Sequence, residues 1–163
     1  MIEMKVAGIA VDANTHSPIV LLKDSSERRA LPIFIGPDQA RAIHSALENQ
    51  KTPRPLTHDL IAQIFDIWEM NLDKIIIHAL QNNTFYAVLC LSQGEVKKDI
   101  DCRPSDAISI ALRTNSPIWV LEEVVADASI PVDRDADEAE REAFREFVAD
   151  ISPDELIKKS RRS

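Results

Sequence analysis

The chain has 163 residues, 45% hydrophobic and 28% charged, which suits one domain with a real core plus a short appendage and excludes two full domains. With 3 Gly and 9 Pro, collagen-like and low-complexity classes fall away, and no apolar run approaches the roughly 18–20 residues that cross a bilayer. The net charge of −8 argues against gripping nucleic acid by bulk electrostatics, so any nucleic-acid site has to be a local basic patch on an acidic body.

The opening stretch MIEMKVAGIAVD carries Glu3 and lacks the basic start and small-residue cleavage site of a signal peptide. Cys90 and Cys102 form no CxxC pair and fall in or beside predicted strands, as idle thiols in a reducing compartment do. A cytoplasmic protein is expected, with no membrane partner. The first apolar, β-branched runs, 2–12 and 18–23, read as a hairpin around the polar loop 13–17. A third strand follows over 29–35, where Pro32 marks an edge or a bulge.

Gly36-Pro37 turns the chain into a helix over about 37–49, since proline is preorganised at the first helical position. Ala40, Ile43 and Leu47 form its inward stripe. Pro53 and Pro55 stop any helix there, and Thr57 is a good N-cap for the next, over about 58–70. Its stripe of Leu60, Ile61, Ile64, Phe65 and Trp68 is the clearest amphipathic pattern in the chain and is expected to face the core. Strands over 73–80 and 84–91 read as central, whereas 95–102 alternates apolar and charged residues, so one face is exposed. Pro104 opens a deeply buried helix over about 104–114 in which only the line Asp106, Ser109, Arg113 is polar. A short strand at 117–121 and a short helix near 122–128 complete the body. The expected fold is α+β: a mostly antiparallel or mixed sheet of about six to seven strands with three main helices packed on it. Residues 1–132 form this domain. Residues 133–163, with 10 acidic and 7 basic residues, read as an acidic linker and short helical tail whose stripe is Phe144, Phe147, Val148 and Ile151.

Three helices begin alike: Pro37-Asp38, Arg54-Pro55-Leu56-Thr57-His58-Asp59 and Arg103-Pro104-Ser105-Asp106. A helix start offers unpaired N–H groups and partial positive charge, and an arginine just outside it can clamp a phosphate in bidentate fashion. If two such starts converge, Arg54 and Arg103 are candidate phosphate ligands and His58 a candidate general acid or base, with Asp59 and Asp106 as catalytic carboxylates. Asp38, Asp59 and Asp106 are candidate ligands for a divalent metal, magnesium or manganese, which would activate water. The same aspartates also stabilise a helix start by themselves, by about 0.3–1 kcal/mol each, and the two arginines can simply pair with them. No HExxH, P-loop, GxSxG or zinc-knuckle spacing is present.

The stretches LPIFIGPDQARAI (31–43), PRPLTHDLI (53–61), TFYAVL (84–89) and RPSDAISIALRTNSPIWV (103–120) resemble the bifunctional nuclease domain family, which includes bacterial and plant members. The tail FREFVADISPDEL (144–156) is similar to bacterial members as well. The resemblance implies an α+β domain, often a homodimer, with nuclease activity on DNA and RNA. Two functions follow as expectations. One is a nuclease of low sequence specificity acting on DNA or RNA, with Arg54, His58, Asp59, Arg103 and Asp106 at its centre and Asp38 as a weaker addition. The other is a non-catalytic dimeric module that recognises a partner protein or an anionic ligand at the same helix starts.

Overall fold

The structure is a computed structural model and describes residues 1–132; the expected helical tail over 133–163 lies outside the described residues. Strands β1 (Ile2–Val11), β2 (Pro18–Asp24) and β3 (Arg29–Phe34) form one antiparallel meander. Helices α1 (Pro37–Leu47) and α2 (Thr57–Ile67) follow, and then a second meander of β4 (Asn71–Gln81), β5 (Thr84–Gln93) and β6 (Val96–Cys102). Asn82 and Asn83 both take positive φ between β4 and β5, and Gly94 does so between β5 and β6, as tight hairpins require. Helix α3 (Pro104–Thr114), β7 (Ile118–Val120), α4 (Glu122–Ala128) and β8 (Ile130–Pro131) complete the described chain.

Among the described residues the eight strands join one mixed sheet in the order β6-β5-β4-β7-β1-β2-β3-β8. The short β7 links the two meanders, running parallel to β4 and antiparallel to β1. The expected count of six to seven strands misses β8, a two-residue strand too short to show any periodicity. Pro32 stands where its strand has an open side, because β8 pairs only with Arg29 and Ala30. Met4, Leu22, Leu31, Ile75, Ile77 and Val120 supply the fully buried sheet face, against Ile43 of α1 and Ile108 of α3. None of the described helices is long and apolar enough to cross a membrane.

Three expectations are corrected. The apolar stripe of α2 does not face the core: Leu60 is 52% exposed, Ile64 42% and Trp68 67%, while Phe65 is buried and Ile61 partly so. The helix also ends earlier than expected. Glu69 takes a positive φ of 55° and the Met70 N–H closes back on the Phe65 carbonyl at 2.8 Å. The physical reason is that α2 carries apolar residues on more than one side, and α3 covers only the side bearing Ile61 and Phe65. Strand β6, likewise, is exposed on both faces rather than one, because it is the terminal strand of the sheet and Val96 and Ile100 project beyond the helical layer. Ile77→Ala, at a fully buried position, is expected to cost about 2–5 kcal/mol in urea denaturation, against about 0.5 kcal/mol or less for Arg41→Ala on the exposed side of α1.

Candidate active site

Helix α3 starts at Pro104, which has no N–H to leave unpaired, and its first intrahelical bond runs from the Ala107 N–H to the Arg103 carbonyl at 3.0 Å. The amides of Ser105 and Asp106 therefore have no helical partner. Helix α2 starts after Leu56, with the Leu60 N–H donating to the Leu56 carbonyl at 2.9 Å. Thr57, the expected N-cap, is instead the first helical residue. The turn is closed by Asp59, whose Oδ2 accepts the Leu56 N–H at 2.9 Å. An acid three residues into a helix reaches back to the cap amide in this way.

The starts of α2 and α3 meet. His58 Nε2 lies 2.9 Å from Asp106 Oδ1, and Arg103 Nε donates to Asp106 Oδ2 at 3.0 Å. Asp106 thus holds a histidine and an arginine at once, one on each carboxylate oxygen. Exposure rises outward along this row: 12% for the His58 side chain, 28% for Asp106 and 68% for Arg103. A neutral His58 keeps its proton on Nε2 to donate to Asp106, which leaves Nδ1 as the basic nitrogen. Three of the sequence-derived candidates are therefore brought together.

Asp59 is not among them. Its Oδ1 accepts from Arg113 Nε at 2.6 Å, and Arg113, only 8% exposed, spends the rest of its guanidinium inside the protein. Nη1 donates to Ser109 Oγ at 2.7 Å and to the Ser109 carbonyl at 3.1 Å, and Nη2 donates to the Ala42 carbonyl of α1 at 3.1 Å. Burial by itself pushes Asp59 up, but the hydrogen bond and charge of Arg113, with the Leu56 amide, outweigh it and hold the carboxyl below its ordinary range. Asp59 and Arg113 line a groove of about 630 Å³ of mixed character with Lys51, Gln63, Ala62 and Leu112, and neither His58 nor Asp106 borders it. Of the five candidates, His58, Arg103 and Asp106 share one place, Asp59 lies at another, and Arg54 joins neither. Arg113 and Ser109 are residues that motif reasoning missed, although the polar line Asp106, Ser109, Arg113 on an otherwise apolar helix was their signal.

Arg54 is exposed on the loop before α2, and its side chain makes no hydrogen bond or ion pair among the described residues. Asp38, exposed in the first turn of α1, is joined to neither cluster by a hydrogen bond or ion pair among those residues. The expected metal set does not form: among the described residues no three or more His, Cys, Asp or Glu side chains are grouped to hold a metal ion. Asp59 is paired with Arg113, and Asp106 with His58 and Arg103. Cys102 ends the strand that leads into this site. Burial first, and then the negative charge of Asp106, push its thiol up to about 12, so it stays protonated at neutral pH and supplies no nucleophile.

Comparison with known proteins agrees with these motifs. The sequence model of one protein family, described as the bifunctional nuclease domain, matches residues 20–133. An uncharacterized protein of Mycobacterium tuberculosis is 38% identical over 162 residues, covering 94% of this chain and 97% of that protein. Bifunctional nuclease 2 of Arabidopsis thaliana is 30% identical over 108 residues, 64% of this chain and 33% of that protein. Bifunctional nuclease 1 of Oryza sativa subsp. japonica is 28% identical over 112 residues, 67% of this chain and 34% of that protein. The chain therefore spans about a third of the length of these plant relatives.

Arg113→Ala is expected to cost about 2–3 kcal/mol in denaturant melts, the scale of hydrogen bonds to charged groups, because it unpairs Asp59 and leaves the Ala42 carbonyl without its donor. The pH dependence has a definite sign. Asp59 is depressed in the folded state, so its stabilisation is complete above the unfolded carboxyl value of about 3.9 and is lost as pH falls through the folded value. The stability gap between wild type and Asp59→Asn should be full at neutral pH and close below about pH 4, as thermal melts across that range would show.

Proposed function

This chain belongs to the bifunctional nuclease domain family, and from that premise we propose that it hydrolyses phosphodiester bonds in DNA and RNA with little sequence preference. The observation that carries the reading is the row His58–Asp106–Arg103 at the junction of two helix starts. In this reading Asp106 fixes the ring and tautomer of His58, and His58 Nδ1 takes the proton of the attacking water or ribose hydroxyl. Arg103 uses only Nε on Asp106 and has both Nη groups left for a phosphate. The amides of Ser105 and Asp106 point the same way as any helix start does, towards the charge that grows on the phosphate oxygens.

Arg54 supplies a second cation on the neighbouring loop, so a strand is held at two places along its backbone. Such contacts touch phosphate rather than base edges, which supports low sequence preference. Asp59 takes a different part from the one first expected: it holds the start of α2 in place through Arg113 and leaves proton transfer to His58.

Cleavage of labelled single- and double-stranded DNA and RNA tests the reading, with magnesium, with manganese and with chelator. His58→Ala should slow cleavage by about 100-fold or more, the scale of a lost general base. Arg103→Ala should chiefly raise KM, as loss of a binding contact does. Each variant needs an unchanged circular dichroism spectrum. No cleavage above a mock preparation, or undiminished cleavage by folded His58→Ala, would sink the proposal.

A further inference from the structure

The motif block TFYAVL (84–89) has no part in the row His58–Asp106–Arg103, yet β5 carries it to the border of that row. Its alternation sets Phe85, Ala87 and Leu89 towards the core and Tyr86 and Val88 on the opposite face of the sheet. Tyr86, the one tyrosine of the chain, is 38% exposed, and its hydroxyl has no hydrogen-bond partner among the described residues. Its cross-strand neighbour on β4 is Ala79, too small to cover the ring, and a bulge at that point brings in His78. The His78 and Tyr86 rings lie 6.4 Å apart between centroids at 43°, so His78 flanks Tyr86 rather than stacking flat on it. An exposed tyrosine on a strand is ordinary by itself. The position of this one gives it a use.

The β5–β6 ladder ends with Ala87 opposite Cys102, so Tyr86 and Arg103 are the next residue on each strand at that end. Neighbouring strands run about 4.8 Å apart, which starts the two side chains within the span of one nucleotide. Arg103 is 68% exposed and uses only its Nε on Asp106. Charge fixes which way a bound strand leaves. Asp101 and Asp99 pair with Val88 and Cys90, so they share the Tyr86 face of the sheet further along β6 and repel a phosphate there. In the other direction lies the β4–β5 turn of Gln81, Asn82, Asn83 and Thr84, which carries no charge. Resting on the phosphodiester reading above, we propose that Tyr86 is a base-stacking platform: the phosphate held by Arg103 carries a base that lies on the Tyr86 ring, with His78 supporting the ring from the side. A base reaches that ring only when it is free of a duplex, so the favoured substrate is single-stranded nucleic acid. Every base has a π-face, so this contact adds affinity without base preference. It also suits a chain of net charge −8, which does not draw a strand in by bulk attraction.

The test is binding rather than cleavage. The full chain is titrated into a short fluorescein-labelled single strand and followed by anisotropy, with the strand checked intact on a gel. Wild type should bind it more tightly than the matching duplex, and about tenfold more tightly than a strand whose bases are replaced by abasic sites. Tyr86→Phe should keep that preference, since the ring and not the hydroxyl carries it. Tyr86→Leu keeps a large apolar residue on the strand and should bind intact and abasic strands alike. Circular dichroism confirms that each variant is folded. A wild type that binds no single strand, favours the duplex, or binds abasic and intact strands equally overturns the proposal. So does a folded Tyr86→Leu that still tells the two strands apart. His58→Ala judges the hydrolytic reading separately. Slowed cleavage there, with base discrimination that ignores Tyr86, overturns the platform alone. Undiminished cleavage there, with discrimination that needs Tyr86, supports the platform and overturns hydrolysis at His58 alone.

Discussion

His58 and Asp59 are neighbours in the chain, so their side chains leave α2 about 100° apart, and each finds a different end of α3. His58 meets Asp106 in the first turn of that helix and Asp59 meets Arg113 in its last. Seven residues separate Asp106 from Arg113, which is about 10 Å of helix, so two contacts from adjacent residues fix where α2 begins and how it is turned. Apolar packing adds to this through Phe65, which is buried, and Ile61, which is partly so. The polar clamp ties α2 to both ends of α3, and the geometry of the candidate site follows from it.

The clamp works because each nitrogen of the Arg113 guanidinium finds a partner. A buried guanidinium is costly unless its N–H groups are paired. Here a carboxylate, a hydroxyl and two carbonyls from three helices meet it. Ser109, with no exposed surface, is a polar residue kept in the core for this purpose. The arrangement separates two arginine roles within one helix. Arg113, at its end, is buried and structural, whereas Arg103, at its start, is mostly exposed and retains donors for a ligand.

That separation bears on how an acidic chain could meet the anionic substrate proposed for it. A net charge of −8 gives no long-range attraction for a polynucleotide. In the proposed reading an arginine beside each of two helix starts offers donors to a phosphate, and short-range hydrogen bonds of this kind do not require a basic surface.

Much of the architecture was legible in the chain itself. The apolar, β-branched runs over 2–12 and 18–23, the prolines at 37 and 104, and the two asparagines at 82–83 mark local backbone preferences that tertiary contacts do not overrule, and the expected elements of the described chain lie within a few residues of their places. The motif blocks around 53–61 and 103–120 also made the family recognisable. Sequence could not tell which side of α2 meets a neighbour, because Leu60, Ile64 and Trp68 are as apolar as Ile61 and Phe65 and periodicity carries no address. Nor could it separate Asp59 from Asp106, two first-turn aspartates of the same chemistry. Their partners lie 54 and 48 residues away along the chain, and only the packing of α2 across α3 brings each to the one it pairs with. Local propensity is written residue by residue and can be read that way. Which charges meet is a property of folded distance, and distance belongs to the tertiary structure.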